Sequence, residues 1–124
     1  MSDGLRGVVA AHGPLARALI DAAEEISGVM GVLIPVSNTD CDRGALEERI
    51  AAAVGGQPAV VFVDMPSGSC LFAALHRVRD LPGVKVVTGV NLAMLVDFVF
   101  HRGQTPLDAA DRAASVGARA IRLP

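Results

Sequence analysis

Ala59-Val60-Val61-Phe62-Val63 is an apolar run with no polar interruption, and it stops on an acid, Asp64. A run of this kind has no side that faces water. It reads as a β-strand buried on both faces, a setting that a parallel sheet with helices on each side provides. Gly7-Val8-Val9-Ala10-Ala11 repeats the pattern and stops on His12. Two buried strands that each end on a titratable side chain set the frame for the rest of the chain.

The segments between them alternate with helical periodicity. Pro14 is placed at the first position of a helix whose apolar face is Leu15, Leu19, Ala22 and Ile26, ended by Gly28. Val29 to Val36 reads as the second strand, broken by Gly31 and closed near Pro35. Ser37-Asn38-Thr39-Asp40 is turn chemistry. Asp42 caps a second helix with a stripe of Leu46, Ile50 and Ala53 or Val54, stopped by Gly55-Gly56. After Asp64, Met65-Pro66-Ser67-Gly68-Ser69 is a loop with helix-capping serines, and the third helix turns Leu71, Phe72, Leu75 and Val78 inward. Val84 to Val90 is the fourth strand. Asn91 caps a helix apolar almost all round to Phe100, closed by His101-Arg102-Gly103. So little polar face means burial on two sides, the second against a partner subunit or a final helix. Thr105-Pro106-Leu107-Asp108 starts that final helix, which runs to about Ser115 and ends at Gly117; Ala118 to Leu123 reads as a closing strand.

The resulting order, β-α-β-α-β-α-β-α-α-β, predicts an α/β fold with a doubly wound, mostly parallel sheet. At 124 residues the chain fits one domain, 1–124. With 52% apolar and only 3% aromatic residues, the core has to be aliphatic. A net charge of −2 without a basic cluster argues against nucleic acid as a partner. Cys41 and Cys70 make no disulfide framework, no apolar stretch has membrane-span length, and residues 1–6 lack a signal-peptide pattern, so a cytoplasmic setting is expected.

In a flavodoxin-like strand order, 2-1-3-4, the strands ending at His12 and Asp64 are neighbours at the switch point, where ligands bind outside the carboxyl ends. An Asp that accepts from one ring nitrogen fixes the tautomer and leaves the other lone pair outward, which makes imidazole a nucleophile. Gly13 and Ser67-Gly68-Ser69 lie at the starts of the first and third helices, where free N–H groups favour an anion. Competing assignments are weaker. GxGxxG is absent after the first strand. A receiver domain would need an acidic pair where His12 stands and a lysine after a late strand, whereas Lys85 opens the fourth strand. His76 reads as a solvated helix residue and His101 as a helix C-terminus residue. The thiols read as inert, and the histidines and cysteines lack zinc-ligand spacing.

Three stretches together resemble the IIA component of mannose-type sugar phosphotransferase systems: Val8-Val9-Ala10-Ala11-His12-Gly13; Val61-Phe62-Val63-Asp64 with Gly68-Ser69 and Ala73-Ala74; and Val87-Thr88-Gly89-Val90-Asn91-Leu92-Ala93-Met94-Leu95-Val96. The resemblance spans residues 6–102 in order and register. It implies that His12 takes a phosphoryl group from phospho-HPr, itself charged from phosphoenolpyruvate by enzyme I, and passes it to a IIB component or a regulatory target. It further implies phosphorylation on Nε2 with Asp64 holding Nδ1, a role for Ser69 near the phosphoryl group, no metal or dissociable cofactor, and a homodimer in which residues 118–123 cross to the partner sheet.

The chain departs from the family pattern at Met65-Pro66-Ser67-Gly68-Ser69-Cys70 and at Phe72, where the family carries Gly-Gly-Ser-Pro and an Asn. Met65 and Pro66 thus make a drier, stiffer loop at the place where the resemblance implies that a protein partner docks. Two other readings of the same residues are a phosphoryl-donor subunit for dihydroxyacetone kinase and a non-catalytic phosphate-sensing module.

Overall fold

The computed structural model describes residues 4–124; residues 1–3, part of the stretch read for a signal peptide, lie outside the described residues. The elements are β1 (Arg6–Ala11), α1 (Leu15–Ser27), β2 (Leu33–Ser37), α2 (Arg43–Val54), β3 (Ala59–Val63), α3 (Ser69–Val78), β4 (Val84–Thr88), α4 (Leu92–Phe98) and α5 (Pro106–Arg119). The four strands form one parallel sheet in the order β2-β1-β3-β4. No helix among the described residues is long and apolar enough to cross a membrane.

Alternation along each strand divides the core in two. Val9, Ala11, Val60, Phe62 and Val87 pack with α1, α4 and α5 on one face. Val8, Ala10, Val61, Val63 and Val84 pack with α2 and α3 on the other. The central strands β1 and β3 are therefore buried on both sides, as their unbroken apolar runs require. Strand β2 is shorter than expected, because Gly31 at φ +77° turns the chain before it. Pro35 lies within β2 rather than ending it, which an edge strand tolerates. Strand β4 likewise stops at Thr88, with Gly89 in the left-handed region.

The expected caps at Asp42, Asn91 and Thr105 are present, each side chain accepting a backbone N–H from three residues on. Pro14 precedes α1 as its cap residue rather than opening it. The inward faces of two helices differ from expectation. In α1 the buried residues are Ala16, Ile20 and Ala23, while Leu15 and Ile26 are exposed and Leu19 and Ala22 half-buried. In α3 they are Cys70, Ala73, Ala74 and Val78; Leu71 and Leu75 are half-buried, and Phe72 is 53% exposed. In both cases small residues occupy the line of closest approach, and larger ones stand at its rim.

Helix α4 is covered on its second side by α5, through Met94 with Ala109, Ala110 and Ala113 and through a two-pronged Asp97–Arg112 pair at 2.8 and 2.9 Å. It ends at Phe98, earlier than its apolar pattern suggested, and Gly103 is not its cap. Phe100 N–H and His101 N–H bond three residues back, tightening the last turn, and the His101 ring folds onto the Asp97 carbonyl. At the other end of the pair, α5 runs through Gly117 instead of stopping there. A Cβ on Gly117 would collide with Met94, and its carbonyl accepts from Asn91 Nδ2 at 3.0 Å, so this glycine serves close helix packing. The expected closing strand at 118–123 is absent: residues 118 and 119 finish α5, and residues 121–124 pair with no strand of their own chain.

Gly7 on β1 makes room for the edge of Phe98, which meets Phe62 in a T-shaped contact at 5.1 Å and 76°. A Cβ at Gly7 would lie 2.8 Å from the Phe98 ring and 2.6 Å from Leu33. Gly7→Ala is therefore expected to lower unfolding stability by about 1–3 kcal/mol through overpacking. Urea titration checks this; an unchanged midpoint would mean that the ring has slack to move.

Candidate functional site

β1 and β3 are adjacent and parallel, with Ala10 level with Val63. The residues just past their C-terminal ends are His12 and Asp64, so the sheet itself brings the pair together. His12 Nδ1 lies 2.7 Å from Asp64 Oδ2, and the same oxygen accepts the His12 backbone N–H at 2.9 Å. The two side chains differ in exposure: 44% for the imidazole against 8% for the carboxylate. Burial works to raise the Asp64 carboxyl. The His12 backbone N–H, the hydrogen bond to the ring and the ring's charge together outweigh it and hold the carboxyl below its ordinary value. An ionised carboxylate only accepts, so Nδ1 carries a proton in this contact, and in the neutral imidazole the lone pair is then on Nε2.

The Nε2 side of the ring faces the start of α3. Ser69 Oγ stands 3.5 Å from Nε2, at the long limit of a hydrogen bond. The expected serine cap is absent. The cap residue is Gly68, at φ +96°, and no side chain caps the helix. A Cβ on Gly68 would lie 3.8 Å from His12 Cε1 and 4.0 Å from Nε2, so the absence of a side chain keeps that approach open as well as permitting the backbone angle. The first N–H groups of α3 consequently lack side-chain partners beside the ring, at the positive end of the helix dipole.

Gly13, at φ +58°, is tied to the opposite wall: its N–H donates to Asn38 Oδ1 at 3.1 Å and its carbonyl accepts from Ser37 Oγ at 2.8 Å. The sequence reading placed Ser37 and Asn38 only in a turn. Their part in holding the His12-Gly13 corner needed the β1–β2 pairing, which sets Ala11 level with Ser37. Ser67 is exposed on the loop and makes no hydrogen bond to His12 or Asp64 among the described residues. Met65 and Pro66 are exposed beside the site, and Leu15 and Phe72 are exposed at the starts of α1 and α3.

Cys70, buried at the start of α3, lies with His12 and Asp64 so that one donor atom from each falls within 4.8 Å of the others. Burial, with the negative charge of Asp64 added, pushes its thiol up to about 11. Cys41 is half-buried and donates to the Asn38 carbonyl at 3.3 Å. His76 pairs with Glu47 at 2.8 Å on the exposed surface between α2 and α3. His101 is engaged with Asp97.

The family model described as "PTS system fructose IIA component" matches residues 7–115. The chain belongs to that family. Solved structures of similar fold include the mannose/sorbose-specific IIA subunit of the phosphotransferase system from Enterococcus faecalis, at 20% identity, TM-score 0.86, and 98% and 95% coverage of this chain and that one. They also include the phosphotransferase system component EIIA from Streptococcus agalactiae, at 18% identity, TM-score 0.87, and 95% coverage of both chains. A PTS IIA protein associated with the fucose utilization operon of Streptococcus pneumoniae is 22% identical, with TM-score 0.80 and coverage of 99% and 96%. Comparison with curated proteins finds no match. Membership makes the chain a IIA component of a sugar phosphotransferase relay, hence a protein that carries phosphoryl groups.

Asp64 contributes stability while it is ionised and hydrogen-bonded. Its folded pKa is depressed, so this contribution is complete above the unfolded carboxyl value, about 3.9, and is lost as pH falls through the folded value. Asp64→Asn is expected to lower stability at neutral pH by about 1–3 kcal/mol, since the amide removes the charge from the oxygen that accepts from His12 and leaves a buried N–H without an acceptor at the Oδ1 position. The variant is also expected to show a shallower acid loss than the parent. Thermal melts from pH 7 to pH 3 test both; parallel stability curves for the two proteins would refute the linkage.

Proposed function

We propose that His12 is the carrier residue, accepting a phosphoryl group on Nε2 from phospho-HPr and passing it to a IIB component or a regulatory target. The observation that carries this reading is the 2.7 Å contact of Nδ1 with a buried, ionised Asp64, which leaves Nε2 as the lone-pair nitrogen on the open side. In the loading step that lone pair bonds to phosphorus as the donor's P–N bond breaks, and the electron pair of the broken bond stays on the donor ring. The His12 ring then bears positive charge with its proton still on Nδ1, and Asp64 balances it. The incoming phosphoryl oxygens meet the free N–H groups of α3 and the hydroxyl of Ser69. Asp64 is the orienting group; Gly13, Ser67, Gly68 and Ser69 surround the phosphoryl group.

A concavity of about 490 Å³ lies at the other end of the sheet, lined by Gln57, Pro58 and Arg102. The His12 imidazole is 44% exposed, and Leu15, Met65, Pro66 and Phe72 on the segments that follow β1 and β3 are exposed too, a setting that suits transfer between protein surfaces. Met65 and Pro66 form the docking loop in this reading. A single 1–124 unit acting in the cytoplasm, without a metal or cofactor in the transfer itself, fits the same relay.

Incubation with phosphoenolpyruvate, enzyme I and HPr is expected to label the chain with acid-labile, alkali-stable phosphate, and His12→Ala is expected to abolish the label. Label retained in His12→Ala would overturn the assignment.

The reading includes a homodimer, in which the C-terminal segment reaches a partner sheet. Ile121 and Leu123 are 81% and 100% exposed in the single chain, and β4 is an edge strand. Sedimentation at micromolar concentration is expected to give twice the chain mass, and removal of residues 120–124 to shift it to the monomer. A monomer in the intact protein would remove this part of the reading.

A further inference from the structure

We propose that His12, Asp64 and Cys70 form a binding site for a thiophilic divalent cation of the zinc class, and that its occupancy shuts off phosphoryl loading. The second half of the inference rests on His12 being the carrier; the first does not. Linear spacing gives no hint of this site, since the three residues come from the ends of two strands and the first turn of a helix. The fold nonetheless brings a ring nitrogen, a carboxylate oxygen and a thiol sulfur within 4.8 Å of one another.

Two further observations point to a ligand. Asp64 Oδ1 is buried and has no hydrogen-bond partner, although the side chain is only 8% exposed. A buried carboxylate oxygen without a donor is an unmet demand for positive charge or a proton. Cys70 Sγ, in the same cluster, is fully buried, so the thiol stands inside the site rather than on the surface. Bonds of about 2.0–2.3 Å put tetrahedral ligands roughly 3.3–3.8 Å apart, so adjustments of about 1 Å or less, opening the 2.7 Å His12–Asp64 contact and bringing the thiol closer, seat the three donors on a metal. Sulfur with imidazole and carboxylate selects zinc or cobalt over magnesium.

Three protein ligands leave a fourth position for water on the exposed His12 side. Binding exchanges the Cys70 proton, and the ring proton if Nδ1 ligates, for the cation, and releases them to solvent. A cation on this cluster neutralises the Asp64 charge that supports the phosphorylated ring, and it engages the ring itself. Metal and phosphoryl group therefore exclude one another.

The test starts with direct binding, on the full chain without any relay protein. Titration with Co2+ is expected to give one ion per chain and a thiolate-to-cobalt charge-transfer absorption, with release of protons and displacement by Zn2+. The absorption is expected in Cys41→Ser and absent in both Cys70→Ser and Cys70→Ala. His12→Ala is expected to weaken binding at least about tenfold, given that even outer-shell changes cost 10–100-fold. Circular dichroism confirms that each variant is folded.

Absence of the absorption, or its survival in the Cys70 variants, overturns the site. Next, labelling by phosphoenolpyruvate, enzyme I and HPr is compared with and without Zn2+, each variant against its own metal-free rate. Suppression in the parent that is lost in Cys70→Ala supports the switch, while equal suppression in both assigns the effect to the relay proteins and overturns it. If cobalt binds through the thiolate but the metal-free chain never takes label, the carrier reading fails and the metal site stands.

Discussion

The structure depends on the parallel pairing of β1 with β3. Both strands are buried on both faces, so a slip of their pairing would disturb two cores at once. That demand fixes the register, and the register fixes which residues emerge together at the carboxyl edge. His12 and Asp64 are thus held by the least deformable part of the molecule. The exposed ring hangs from a main-chain N–H that is bonded to the same carboxylate oxygen, so its attachment point is set independently of the ring's own contact.

Around this rigid pair the supporting residues come from softer places. Gly68 and Ser69 form an uncapped helix start, and Ser37 and Asn38 belong to the loop after an edge strand. Such a division suits the proposed role, in which one group is presented in one geometry to a donor and to an acceptor. Under the proposed function the carrier ring stays fixed, while the walls around it retain the latitude of loops.

The topology and the central pair were legible in the sequence because each rests on an unambiguous pattern: an apolar run too long and too dry to be anything but a doubly covered strand, ended by a side chain that cannot remain unpartnered. Helix faces were less legible. Periodicity weights large apolar residues, whereas close packing against a sheet selects small ones, so Ala16, Cys70 and Ala73 are inside while Leu15, Ile26 and Phe72 are outside. Gly117 shows the same confusion in another form, as a glycine that ends nothing because its value is the space beside Met94. Asn38 escaped notice because its role is a long-range hydrogen bond across the β1–β2 edge, which no local pattern encodes.

The aliphatic composition has one consequence at the sheet margin. Lys85 is the only lysine in the chain, and it lies on β4, an edge strand whose outer side pairs with no other strand among the described residues. A single ammonium on such an edge resists indiscriminate strand addition without sealing it against a specific one. It also makes the molecule chemically simple to interrogate: apart from a chain-terminal amine, any amine-directed reagent acts on that margin alone, so the reactivity of one side chain reads out whether the edge is open or occupied.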